Sequence, residues 1–300
     1  MAAPAEVRGA IVVSACGRTH RGRVRSENQD RLLVADLAEE ILHADETERR
    51  SSVGPLRFEL SPRGAVLLVA DGMGGRAGGA RASSLAVSAV GRTLIEGADG
   101  AGPDRFVSRL RGALEEANRD IRDEAGRDPR LRGMGTTATL AGIRGDVVYL
   151  AQVGDSRAYL VRSGRLARLT KDQSLVQDMI DSGVLSEGDT RTVRDNVILQ
   201  ALGASVSVEP EVTYHDLKQH DVLLLCSDGL SHVVGDAEIL EAVTGSPDCL
   251  AMCDRLVGLA NDRGGPDNVT VLVARVEGDG LEKPTEADSI GRKLYEPGRD

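Results

Sequence analysis

Five aspartates of this chain stand at the ends of apolar, β-branched runs, and that placement constrains the fold more than any other feature. Asp71 follows the run AVLLVA, Asp228 follows VLLLCS and Asp155 follows VVYLAQVG. Asp30 immediately precedes RLLVAD, and Asp267 immediately precedes NVTVLVARV. Such runs read as strands. If the strand after Asp30 runs antiparallel to the strand before Asp71, both carboxylates lie at one end of the pair. The same holds for Asp228 and Asp267. Folding then gathers acids from distant parts of the chain at one edge of a sheet assembly. Crowded carboxylates raise one another's pKa, so such a cluster calls for cations. Hard oxygen donors select Mg2+ or Mn2+, with water completing the shell. A single Asp-Gly is more often only a turn, but five acids at strand ends are poorly explained that way.

The remaining pattern sets the class. Further strands are expected over 10–16, 136–143, 146–153, 157–161, 166–169, 221–226 and 268–276, with a short one at 56–60. Helices are expected over 78–96, 104–124, 237–243 and 247–262. In the second of these, Phe106, Leu110, Leu114 and Ile121 share one face, and Pro103 sits near its start. Strands outnumber helices and often follow one another directly. That favours an α+β fold of antiparallel sheets with helices grouped outside, over alternating βαβ units. The expected organisation is a loose N-terminus (1–9), one folded domain (10–276) and a charged, flexible tail (277–300). Within the domain, 37–64 reads as a polar insert forming a plain surface hairpin.

Composition narrows the rest. The 300 residues include two Phe, four Tyr and no Trp, so aliphatic side chains must fill the core. The net charge of −10 argues against a nucleic-acid partner and suits a site that concentrates cations. The stretch 18–25 is the one basic exception. Four irregularly spaced cysteines fit neither a disulfide scaffold nor a zinc site and suggest reduced thiols in a cytoplasm. No signal peptide is visible, and no apolar run approaches the roughly 20 residues of a membrane helix. The expectation is a cytoplasmic monomer with no membrane partner.

Several segments together resemble the PPM, or PP2C-type, metal-dependent protein phosphatases in their bacterial form. They are RSENQD (25–30), VADGMGG (69–75), GMGTT (133–137), VGDSR (153–157), LTKD (169–172), CSDGL (226–230) and GGPDN (264–268). Each alone is weak; their ordered succession over 11–276 is specific. The resemblance implies a β-sandwich of two antiparallel sheets flanked by helices on both sides. It implies hydrolysis of phosphoserine and phosphothreonine in proteins, opposing bacterial kinases, at a binuclear Mg2+ or Mn2+ centre with a weaker third ion. Asp71 would bridge two ions. Asp30 and the Gly72 carbonyl would hold one, directly or through water, and Asp228 and Asp267 the other. Asp155 would help hold the third, and Arg25 would grip the substrate phosphate, for which its planar fork is suited. Residues 170–196 correspond to the family's variable flap.

The chain also departs from that pattern. Gln29 stands where relatives often have Glu, and Met73 where some have a proton-donating His. The five histidines (His20, His43, His215, His220 and His232) read as surface or structural. Cys249 and Arg255 have the spacing of a cysteine-dependent phosphatase, but the segment reads as a packed helix with no phosphate loop. The glycines at 74–79 lack a P-loop ending. Two other readings stand beside the phosphatase: a non-catalytic regulator that keeps the fold to bind a partner, and a hydrolase of small phosphate esters.

Overall fold

Consecutive residues of the apolar strands face different cores, which is why these strands read as unbroken apolar runs. The computed structural model describes residues 9–38, 41–44, 52–96, 102–186 and 197–298. The chain opens with β1 (Val12–His20), β2 (Asp30–Asp36), β3 (Ile41–Ala44), β4 (Ser52–Glu59) and β5 (Ala65–Met73). Helices α1 (Gly75–Glu96) and α2 (Pro103–Arg127) follow. Then come β6 (Gly135–Thr136), β7 (Ala138–Arg144), β8 (Val147–Val153), β9 (Arg157–Arg162) and β10 (Arg165–Arg168). The last third holds α3 (Leu175–Asp181), β11 (Glu211–Asp216), β12 (Val222–Cys226), α4 (Asp228–Ser231), α5 (Asp236–Thr244), α6 (Cys249–Asp262) and β13 (Val269–Glu277).

The strands form two antiparallel sheets, in the orders β10-β9-β12-β13-β1-β4 and β11-β8-β7-β5-β2-β3, with β6 also paired to β5. Between them lies an aliphatic core holding Leu32, Val34, Leu67, Val69, Leu223 and Leu272. The alternate residues Leu33, Ala35, Val66 and Leu68 face α1 and α2 instead. Leu224, Cys226, Val271 and Val273 face α5 and α6. The result is four layers, helix–sheet–sheet–helix, with both faces of each sheet buried. The α+β sandwich expected from the sequence is the fold observed. Close packing also explains Gly142 in β7: a Cβ there would lie 2.8 Å from Phe106 Cε1.

Three details differ from expectation. The insert 37–64 is not a surface hairpin, because its two strands join different sheets: β3 pairs with β2, and β4 pairs with β1. Its side chains Val53, Leu56 and Phe58 supply the apolar contacts that seat β4 beside the inter-sheet core. Strand β11 was not anticipated; its sequence EVTYHD carries four charged or titratable residues in six. Residues 279–298 do not form a flexible tail. Leu281 is buried, Tyr214 N donates to Lys293 O, and Tyr295 N donates to Val212 O. The Tyr295 ring packs edge-on to Tyr149 and Tyr214, and its hydroxyl donates to Asp104 Oδ1. Leu281 and Tyr295 anchor a segment whose charged composition alone suggests disorder. Residues 1–8, 187–196 and 299–300 of the expected N-terminus, flap and tail lie outside the described residues. Among the described residues no helix is long and apolar enough to cross a membrane.

Phe106 is fully buried, edge-on to Tyr149 and against Gly142. Phe106→Ala should cost about 3–5 kcal/mol of unfolding free energy, read from urea denaturation.

Candidate functional site

The pairing of β2 with β5 sets Asp30 directly opposite Asp71, as the antiparallel reading requires. Strand β12 runs antiparallel to β13, pairing Cys226 with Val271. This carries Asp228, just past β12, and Asp267, just before β13, to the same end. The two sheets therefore deliver four acids to one edge, and the turn after β8 adds Asp155. Arg25, Asp71, Gly72, Asp155, Asp228 and Asp267 line a single cleft of about 670 Å3. Asp30 lies fully buried and outside that lining.

The Asp-Gly pairs are more than turns. Asp71 and Gly72 lie inside β5, which continues to Met73 by pairing with β6. A Cβ on Gly72 would lie 2.1 Å from Gly79 O, and one on Gly229 would lie 1.8 Å from Asn268 O. Only glycine lets these backbones approach behind the acids. Gly79 serves the same end, since α1 begins at Gly75 and a Cβ at 79 would lie 2.7 Å from Gly72 O.

Polar side chains that the sequence did not single out hold the acids in place. Ser227 Oγ and Thr270 Oγ1 each donate to Asp30 Oδ2 at 2.7 Å. Thr137 N donates to Asp71 O, and Asp71 N donates to Thr137 Oγ1. Asn268 staples the loop that carries Arg25. Its Oδ1 accepts from Gln29 N at 2.8 Å, and its Nδ2 donates to Arg21 O and Glu27 O. Each of these residues lies in or beside one of the motifs, so hydroxyl and amide residues next to the acids were the available signal.

The electrostatics are those of crowded, desolvated acids. Burial lifts the Asp30 carboxyl to about 7 against the opposing hydrogen bonds from Ser227 and Thr270, with the charges of Asp228 and Asp267 adding to the rise. Burial likewise lifts Asp155 to about 7, helped by Asp228 and Asp172. Asp71 is raised well above the usual range, first by burial and then by Asp30 and Asp228. The Oδ1 atoms of Asp30, Asp155 and Asp228 are buried with no hydrogen-bond partner. Unpaired buried carboxylate oxygens are costly, and a hard cation satisfies them. The donor set, all oxygen and acidic, fits Mg2+ or Mn2+. It is not a closed cage: among the described residues no three His, Cys, Asp or Glu side chains are already drawn together as one. Asp228 is one of the charges that raise Asp71, and Asp267 is held by Arg25.

Arg25 donates Nη2–H to Asp267 Oδ2 at 2.6 Å, so this exposed arginine is turned towards the acids. His232 is exposed, as expected of a surface residue, and its Nδ1 lies 3.4 Å from Asp228 Oδ2. Gln29 donates to Gly75 O at 2.9 Å, bracing the start of α1. The cysteine reading stays rejected, though on different ground. Cys249 opens α6, but its buried thiol donates to Ser14 O and the helix start is capped by Asp248. All four cysteines are buried and free of disulfides.

Two antiparallel sheets between helix layers, opening at one edge onto an acidic cleft lined by Arg25, are the architecture of metal-dependent phosphatases. The chain belongs to the protein phosphatase 2C family, whose model matches residues 56–270. It is 39% identical over 211 residues to the serine/threonine protein phosphatase PstP of Mycobacterium tuberculosis, covering 70% of this chain but only 40% of that relative's length. It is 34% identical over 271 residues to the serine/threonine phosphatase stp of Listeria monocytogenes, covering 90% of this chain and 98% of the relative. A solved structure of the PstP catalytic domain in complex with 2 manganese ions matches with a TM-score of 0.71 at 35% identity, over 89% of this chain and 99% of that one.

Two outcomes follow from the site. Asn268→Ala should speed amide hydrogen exchange across 21–29 while costing about 1–3 kcal/mol of stability, as expected for buried partners left unpaired. A carboxyl with a folded pKa near 7, against 3.8 for a free aspartate, binds its proton more tightly in the folded state. Asp30 and Asp155 therefore stabilise the metal-free protein at low pH, and that contribution is lost as pH rises from about 4 to about 7. Melting curves in EDTA should show this fall, Asp155→Asn should flatten it, and Mn2+ binding should release protons near neutral pH.

Proposed function

We propose that this chain is a divalent-metal-dependent phosphatase that hydrolyses phosphoserine and phosphothreonine in proteins, acting in the cytoplasm against serine/threonine kinases. The observation that carries the reading is the convergence of Asp71, Asp155, Asp228, Asp267 and Arg25 on one cleft, with buried carboxylate oxygens lacking partners. The names of the PstP and stp relatives support it, as does the manganese complex of the PstP domain. The free, buried cysteines fit a reducing compartment.

Asp71, Asp30 and the Gly72 carbonyl would hold one ion, Asp228 and Asp267 a second, and Asp155 a weaker third. Bound there, Mn2+ or Mg2+ would supply Lewis acidity towards phosphate and a water nucleophile at neutral pH. The chain's own work is placement. Ser227 and Thr270 fix the Asp30 carboxylate, and Thr137 fixes the backbone of Asp71. Asn268 holds the loop that aims Arg25 into the cleft. Arg25 is permanently charged, and in turning from Asp267 to the substrate it presents parallel N–H donors to two phosphate oxygens. Met73 lines the cleft and cannot exchange a proton, so leaving-group protonation falls to another donor.

With Mn2+ and a phosphothreonine peptide, the purified protein should release inorganic phosphate. EDTA should stop the reaction. Asp228→Asn should reduce it by more than the roughly tenfold to hundredfold typical of losing a supporting partner. Phosphate release indifferent to both would defeat the proposal.

A further inference from the structure

Large apolar side chains left in water gather near the cleft. Single exposed residues of this kind are ordinary, but a group beside a charged site is not. Val197 lines the cleft and is 39% exposed, Ile198 lines it as well, and Leu199 beyond them is 55% exposed. On the Arg25 side, Val24 is 71% exposed and directly precedes that arginine.

The Val197–Leu199 edge is built in. Leu175 N donates to Val197 O and Leu199 N donates to Gln173 O, each at 2.8 Å, and Ser174 forms an antiparallel bridge with Ile198. Gln173 is fixed in turn to the turn before Asp155: its N donates to Gly154 O, and its Oε1 accepts from Gly154 N at 2.8 Å. An apolar edge is thus held at a set distance from the acids by backbone hydrogen bonds.

The occupant follows from this continuity. Resting on the phosphatase reading above, we infer that the Val197–Leu199 edge docks a large apolar side chain beside the phosphorylated residue, so the preferred substrate is an extended phosphopeptide segment with such a residue one or two positions away. An extended chain advances about 3.3–3.6 Å per residue, which carries a neighbouring side chain from the cleft onto its wall. Glu27 lines the cleft outside the set of acids that would hold metal, and its charge disfavours an acidic neighbour. Burying part of a Leu side chain on this edge is worth about tenfold in affinity.

The test uses labelled peptides carrying a non-hydrolysable phosphonate analogue of phosphothreonine, with Leu or Ser at each flanking position in turn, and reads binding by fluorescence anisotropy. Leu at one or more positions should tighten binding about tenfold over Ser, and Val197→Ser with Leu199→Ser should shrink that advantage to about twofold or less. Thermal melting checks that the variant is folded, and the wild-type comparison stands without it. Equal binding of the Leu and Ser peptides, or no binding of either, overturns the inference. So does an advantage that survives the substitutions, or substitutions that dissociate an oligomer without changing peptide preference. Hydrolysis of p-nitrophenyl phosphate by the wild-type protein with Mn2+ reports separately on the phosphatase reading.

Discussion

Mutual repulsion among desolvated carboxylates is the constraint around which this molecule is arranged. Asp30 and Asp71 are cross-strand neighbours, and Asp228 and Asp155 add their charge to the same volume. Nothing in the acids themselves favours that gathering. It is imposed by backbone pairing and by hydroxyl donors such as Ser227 and Thr270, which donate to one oxygen of Asp30 while the other stays unpartnered. Stability elsewhere has to outweigh it, and three separate apolar cores do so. The strands that carry the acids are buried on both faces, so the site rests on the most rigid part of the fold.

The supporting residues divide the work by chemistry. Glycine at 72 and 229 permits close backbone approach, and the amide of Asn268 ties three segments of main chain together. Arg157 and Asp172 form a largely buried bidentate pair whose carboxylate also bears on Asp155. Such pairs fix geometry more than they add stability. The apparatus around the acids is thus a scaffold of neutral donors and ion pairs, leaving the buried Oδ1 atoms of Asp30, Asp155 and Asp228 for a cation to answer.

Much of this was legible in the sequence because strand periodicity and strand-end acids are local signals. Runs such as AVLLVA name a doubly buried strand on sight, and an acid at the end of each run states which edge matters. What was not legible depended on pairing across the fold. Strand β11, whose sequence EVTYHD holds a single aliphatic residue, Val212, has no apolar alternation to announce it. The separation of β3 and β4 into different sheets is fixed by their partners β2 and β1, not by their own residues. The role of Asn268 depends on three main-chain groups contributed by a loop some 240 residues earlier.

The C-terminal segment closes the edge of one sheet. Backbone groups of Val212 and Tyr214 in β11 are taken by Tyr295 and Lys293, Thr213 bridges to Leu294, and Arg292 is paired with Glu211. An uncovered outer strand is a template onto which a neighbouring molecule's strand can add. By lying along it, residues 292–295 occupy the backbone groups through which such a strand would add.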